Sequence, residues 1–321
     1  MREIGGYIEI EHFSGPILHA EAAALNCARA ALTLLLRARE IKRLLIPRFI
    51  CESVTGACER AGVPYTLYGV GRDFLPAEEM ELGAGEWLYL VNYYSQLSNS
   101  VIRGLVEKYR RVIVDNAQSY FQPPLPGVDT LYTCRKYFGV ADGAFLYTGA
   151  ALPALARDES HTRMGFLLGR FERPAAEFYA AYAANNDFFD SEPPKVMSRL
   201  TENLLRAVDY EAIERRRRDN FQILHERLGE RNGLRLPETG SFMYPFYTEN
   251  GAAVRKKLQA EKIYIPTLWP DVFRMSEPGS TEYAMAENIL PLPIDQRYGA
   301  EDMTYMLNRL ERLAAARPAF T

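Results

Sequence analysis

The sequence predicts an α/β protein: a mostly parallel, doubly wound sheet in a large domain, followed by a smaller α+β C-terminal domain. Three observations predict it. Short runs rich in Val, Ile, Leu and Tyr alternate with helical stretches through the first half of the chain, the pattern of parallel strands joined by crossover helices. Those runs are continuously apolar rather than alternating, as expected of strands covered on both faces. After Ser191-Glu192-Pro193-Pro194 the character changes to long charged helical segments. We therefore expect a large domain over 1–198 and a small one over 199–321.

The elements follow in order. The stretch from Ala22 to Leu36 is expected to be helical in its C-terminal part, and its largely apolar composition makes that helix buried rather than amphipathic. Strands are predicted at Leu44–Ile50, Tyr65–Val70, Trp87–Asn92 and Arg111–Asp115, then at Thr130–Thr133 and Gly143–Tyr147. Helices are predicted at Cys51–Ala61 and from Val101 to Tyr109. Beyond the boundary, Leu200–Leu228 reads as helix with a break near Asp209. Strand candidates follow at Phe242–Tyr247 and Ile263–Ile265, and an amphipathic helix at Glu301–Ala316.

Composition excludes several classes. The 321 residues carry 38 Lys and Arg against 41 Asp and Glu, for a net charge of −3. A nucleic-acid binder would need a strongly basic face. No apolar run approaches the roughly 20 residues of a membrane span, and Met1-Arg2-Glu3-Ile4 lacks the apolar core of a signal peptide. Cysteines at 27, 51, 58 and 134 form no CxxC pair, and the four His are scattered. Neither a metal site nor a disulfide framework is expected, and the default setting is cytoplasmic.

Three groups of residues can carry chemistry. Asp115 ends a buried strand, where open α/β sheets bind their ligands, although a turn or helix-capping Asp is an equal reading. Lys136 lies in Thr133-Cys134-Arg135-Lys136, before the turn Tyr137-Phe138-Gly139-Val140-Ala141-Asp142-Gly143-Ala144. An enclosed lysine loses proton affinity and becomes a usable amine nucleophile; a solvated loop is the plain alternative. Cys27-Ala28-Arg29 opens the buried helix, whose free N–H groups and dipole suit a phosphate. Arg29 can add a bidentate contact or be an ordinary surface residue. The run Glu214–Asp219 reads as a solvated helix face.

Taken together, a phosphate cradle, a strand-end carboxylate and a later lysine are what pyridoxal 5'-phosphate requires. The chain resembles the DegT/DnrJ/EryC1/StrS (sugar) aminotransferases, fold-type I pyridoxal-phosphate enzymes. Leu25-Asn26-Cys27-Ala28-Arg29-Ala30-Ala31-Leu32 is similar to their phosphate-binding helix start and Ile46-Pro47-Arg48-Phe49 to the next strand end. Val114-Asp115-Asn116-Ala117-Gln118 is similar to their aspartate motif, and Thr133-x-x-Lys136 with Val140-Ala141-Asp142-Gly143-Ala144 to their lysine and Gly-rich segment. The resemblance extends in weaker form through Ile263–Pro270 and Ile289–Tyr298.

The resemblance implies Lys136 as the Schiff-base lysine and general base, and Asp115 on the pyridine nitrogen. It implies Gln118 near the ring hydroxyl, with Cys27, Ala28, Arg29 and Thr133 around the phosphate. The implied function is transfer of an amino group from an amino acid, glutamate by analogy, to a keto acceptor such as a nucleotide-linked keto sugar. A homodimer with shared active sites and small-molecule substrates is implied as well. A catalytically inactive binding or regulatory protein on the same fold is the alternative; a nucleotide binder using only the Asn26–Arg29 helix start is a third. The chain departs from the family in being shorter, in Arg29 where a small hydroxyl residue is common, and in lacking a recognisable phosphate-reaching Asn loop near Pro194–Ser198. Cys51 stands where an aromatic usually stacks on the ring, which leaves Phe49 or Tyr94 as the stacking candidate.

Overall fold

The computed structural model describes residues 4–315. Its centre is a seven-stranded sheet in the order β1-β7-β6-β5-β4-β2-β3. The strands are β1 (Ala23–Leu25), β2 (Arg43–Pro47), β3 (Tyr65–Tyr68), β4 (Glu86–Val91), β5 (Val112–Asp115), β6 (Asp129–Thr133) and β7 (Ala144–Tyr147). Pairings from β3 through β2, β4 and β5 to β6 are parallel, whereas β7 runs antiparallel to both β6 and β1. This is the mostly parallel sheet the continuous apolar runs predict. Leu44, Ile46, Leu88 and Ile113 are fully buried, as strands sandwiched between helices must be.

Helix α1 (Ala28–Ala38) and helix α2 (Glu52–Ala61) pack against one another, and α3 (Asn99–Tyr109) crosses from β4 to β5. Leu35 and Leu36 of α1 are wholly out of solvent, each contributing about 1.5–3 kcal/mol of burial. The predicted helix in the C-terminal part of Ala22–Leu36 is α1, and the stretch before it, for which no element was predicted, forms β1: Ala23 and Ala24 pair with Leu146 and Phe145 across the sheet. That long-range pairing outweighs the local helix preference of alanine.

Helices α4 (Gly165–Glu172) and α5 (Tyr179–Ser191) extend from the large unit, and α6 (Arg199–Leu205) leads to α7 (Tyr210–Leu228). The break between the last two falls where predicted, with the Asp209 carboxylate accepting from Ala212 N at 2.9 Å as the cap of α7. A second sheet pairs β8 (Met243–Tyr247) antiparallel to β9 (Ile289–Pro293), with α8 (Gly251–Ala260), α9 (Val272–Met275), α10 (Thr281–Asn288) and α11 (Ala300–Ala315) around it. Its own core joins Phe221, Leu224, Leu290 and Leu307. The strand expected at Ile263–Ile265 does not form; Ile263 N bonds back to Leu258 O at 2.9 Å instead.

The run Glu214–Asp219 is not wholly solvated, another correction. Arg217 is 1% exposed. It shares a helix face with Asn220, Phe221, Leu224 and Leu228, all buried, and this spacing was the available signal.

Candidate active site

The carboxyl ends of β4, β5 and β6 open into a cleft with the N-terminus of α1 on one side. Cys27, Ala28, Arg29, Asp115, Gln118, Thr133 and Lys136 all line it. Residues far apart in sequence thus meet where parallel sheets present ligand sites. A second groove lies beside Arg157, Asp158 and Ser198. Two of its charged residues are paired, Arg157 with Glu202 at 3.2 Å and Asp158 with Arg163 at 2.8 Å.

Asp115 sits at the end of β5 with both oxygens held: Ala117 N donates to Oδ1 at 2.8 Å and the Tyr89 phenol to Oδ2 at 2.8 Å. A carboxylate has further lone pairs, so one face remains for a cation or an N–H. Gln118 accepts Tyr94 N on Oε1 at 2.7 Å, which leaves Nε2 as the group it can offer a ligand. Lys136 is solvent-exposed at the cleft, its Nζ 5.5 Å from the Phe242 ring centroid, with no ion-pair partner among the described residues. Nothing competes for its amine.

The loop that carries Lys136 is fixed at several points. Gly143 has φ +116, and a Cβ there would meet Cys134 and Thr201 at 3.1 Å, so only glycine fits. Asp142 receives Ser198 N at 2.8 Å, Ser198 Oγ at 2.7 Å and the Thr201 hydroxyl. On the other side Arg217 donates to Tyr137 O, Ser241 O at 2.8 Å and Gln296 Oε1 at 2.9 Å, its guanidinium over the Tyr137 ring.

At the start of α1 the Cys27 Sγ accepts Ala30 N at 3.4 Å, so the thiol serves as the cap. The first N–H groups of any helix lack helical acceptors and are open to an anion. Arg29 reaches Asp190 at 2.6 Å and Asn186 Oδ1 at 3.0 Å. Arg135 donates to the same Asn186 oxygen at 3.3 Å and lies 4.7 Å from the Phe189 ring centroid. Burial lowers its pKa, and the charge of Arg29 lowers it further. No carboxylate pairs with Arg135 among the described residues. Two guanidiniums converging at a helix N-terminus are stabilised by an anion.

Phe49 and Tyr94 do not reach the cleft. Both are 1% exposed and pack behind Trp269, with ring centroids 4.4 Å and 5.9 Å from it. Trp269 lines the cleft in their place, from a left-handed backbone conformation at φ 56. Such strain in a non-glycine residue concentrates at functional sites. Cys51 also lines the cleft, its thiol 2.7 Å from Ser53 Oγ. Sequence reasoning missed Tyr89, Arg135, Tyr182 and Asn186 as wall residues, because each arrives through tertiary packing.

The fold is shared with solved aminotransferases. A DegT DnrJ EryC1 StrS aminotransferase from Brucella abortus superimposes with a TM-score of 0.63 at 15% identity, covering 92% of this chain and 86% of that one. DesV of S. venezuelae, solved in complex with a ketimine intermediate, gives 0.66 at 16% identity over 96% and 91%. The aminotransferase TlmJ from Streptoalloteichus hindustanus gives 0.63 at 17% over 92% and 86%. No protein-family model matches the chain, and no curated protein matches it by sequence. No described helix is long and apolar enough to cross a membrane, and no described cluster of His, Cys, Asp and Glu has a metal-binding arrangement.

Proposed function

We propose that this chain is a pyridoxal-phosphate-dependent aminotransferase, moving an amino group from an amino acid, glutamate by analogy, to a keto acceptor of the keto-sugar class. The observation that carries the reading is the meeting of Lys136, Asp115 and the α1 N-terminus in one cleft. The donor set fits the group: an unpaired amine, a strand-end carboxylate, and helix N–H groups beside two guanidiniums. The solved neighbours that hold pyridoxal or pyridoxamine phosphate support the same cofactor here.

When bound, the cofactor supplies an aldehyde that captures amines and a ring that stores the electron pair left at Cα. Lys136 Nζ anchors that aldehyde. Its free amine would take up the Cα proton as general base. Asp115 would hold a proton on the ring nitrogen by charge attraction. Gln118 Nε2 serves the ring hydroxyl. Ala28 and Arg29 N–H groups, the Thr133 hydroxyl and the Arg29 side chain bind the phosphate, with Cys27 shaping the helix start. Trp269 forms the apolar wall facing the ring, and Phe49 backs it.

The unit is read as a cytoplasmic homodimer with sites completed across the interface. Support comes from the apolar surface beside the cleft, where Leu168, Phe171 and Tyr179 are 65%, 93% and 69% exposed. Visible absorption of the purified protein tests the whole reading. A coloured complex with the cofactor that glutamate bleaches is expected; a protein that stays colourless with added cofactor refutes it.

A further inference from the structure

Tyr89 is a buried titratable residue to which the reaction outlined above gives no part. It lies on β4, which runs parallel to β5 with Val91 opposite Asp115. Because side chains two apart on a strand share a face, Tyr89, Val91 and Asp115 line the same cleft. Its ring is 2% exposed and its backbone carbonyl is held by the Tyr68 phenol at 2.9 Å. Its own phenol donates to Asp115 Oδ2 at 2.8 Å. Burial, and secondly the Asp115 charge, push the Tyr89 pKa far up. The group is therefore a permanent donor at any working pH.

We propose that Tyr89 is a positioning residue that holds the Asp115 carboxylate in the orientation from which its charge keeps a proton on the cofactor's ring nitrogen. The proposal rests on the function assigned above. A hydrogen bond donated to a carboxylate stabilises its charged form. With Ala117 N on one oxygen and the phenol on the other, the carboxylate is also fixed in orientation. Without the phenol, Asp115 keeps one donor, and its second oxygen is free to turn away from the ring nitrogen. A ring nitrogen that loses its proton is a poorer electron sink.

The test uses holoenzyme reconstituted with cofactor labelled with 15N in the ring, for the wild type and Tyr89→Phe. The variant is expected to move the nitrogen resonance toward the unprotonated value. It should also lower kcat by about tenfold to a hundredfold, the scale of one hydrogen bond to a charged group, with KM and cofactor affinity changed less than about threefold. In an Asp115→Asn background the same substitution is expected to have no further effect, which a purely structural role would not produce. 4-Aminophenylalanine at position 89 keeps an N–H donor in place and should restore both readouts, including where Tyr89→Phe folds poorly. An unchanged nitrogen signal with unchanged kcat in Tyr89→Phe overturns the proposal, as does full additivity with Asp115→Asn. Failure of the wild type to bind cofactor at all overturns instead the function on which it stands.

Discussion

Two arginines, the buried Arg217 and the half-buried Arg135, border Lys136, and they are satisfied in opposite ways. Arg217, on the packed side, spends its donors on the carbonyls of Ser241 and Tyr137 and on Gln296. Arg135, on the cleft side, has Asn186 and an aromatic face, and shares that amide oxygen with a second cation. Burial lowers the pKa of both. Arg29 then pushes Arg135 further down, whereas Tyr137 and Asp295 push Arg217 back up. A guanidinium whose acceptors are all supplied internally holds structure; one short of negative charge, at a cleft, is set for a ligand.

The largest test of that contrast lies between the two. Lys136→Ala should abolish turnover by at least about a thousandfold and remove the visible band, while the melting temperature stays within about 1 °C because the side chain has no partner to lose. An active variant would end the assignment. Next comes Arg217→Met, which strands buried carbonyls. The expected loss is about 3 kcal/mol of stability, or roughly 4–5 °C in Tm, with calorimetry as the readout. Arg135→Gln should reverse the pattern, weakening cofactor affinity about tenfold in a fluorescence titration while Tm holds or rises. A large Tm loss there would make the two arginines alike.

The smallest effect concerns His19, again on the packed side. It is stacked on Tyr132 with centroids 4.0 Å apart, and its Nε2 is 2.8 Å from Tyr120 O. Burial lowers its pKa from 6.5 to about 4. The unfolded chain therefore takes up a proton first as pH falls, so stability is full above about 6.5 and declines toward 4. At pH 5 the loss is about 2 kcal/mol, seen as a lower denaturation midpoint and diminished in His19→Phe.

Much of this was legible in the sequence because it is local. Continuous apolar runs marked β2 to β7, and the order Cys27-Ala28-Arg29, Asp115, Gln118, Thr133, Lys136 placed one cleft. What depended on register was not. Nothing near Ala23 announces its pairing with Leu146, and nothing near Tyr89 places its phenol on Asp115 before β4 and β5 are aligned. The stacking candidates Phe49 and Tyr94 lie off the cleft because Trp269, from the far end of the chain, packs over them. Arg217 was hidden among charges of like kind, although its distance from Phe221 and Leu224 put it on the apolar stripe.

Asp142 and its three donors from the start of α6 have one more consequence. An unbiased library scored only for product would return hits at Ser198, Thr201, Arg217 and Gln296, none of which borders the cleft. Such a map would outline a ring of scaffolding around the reactive amine. Mistaking that ring for a substrate pocket would send an engineer to redesign the hinge pins of the door rather than its lock.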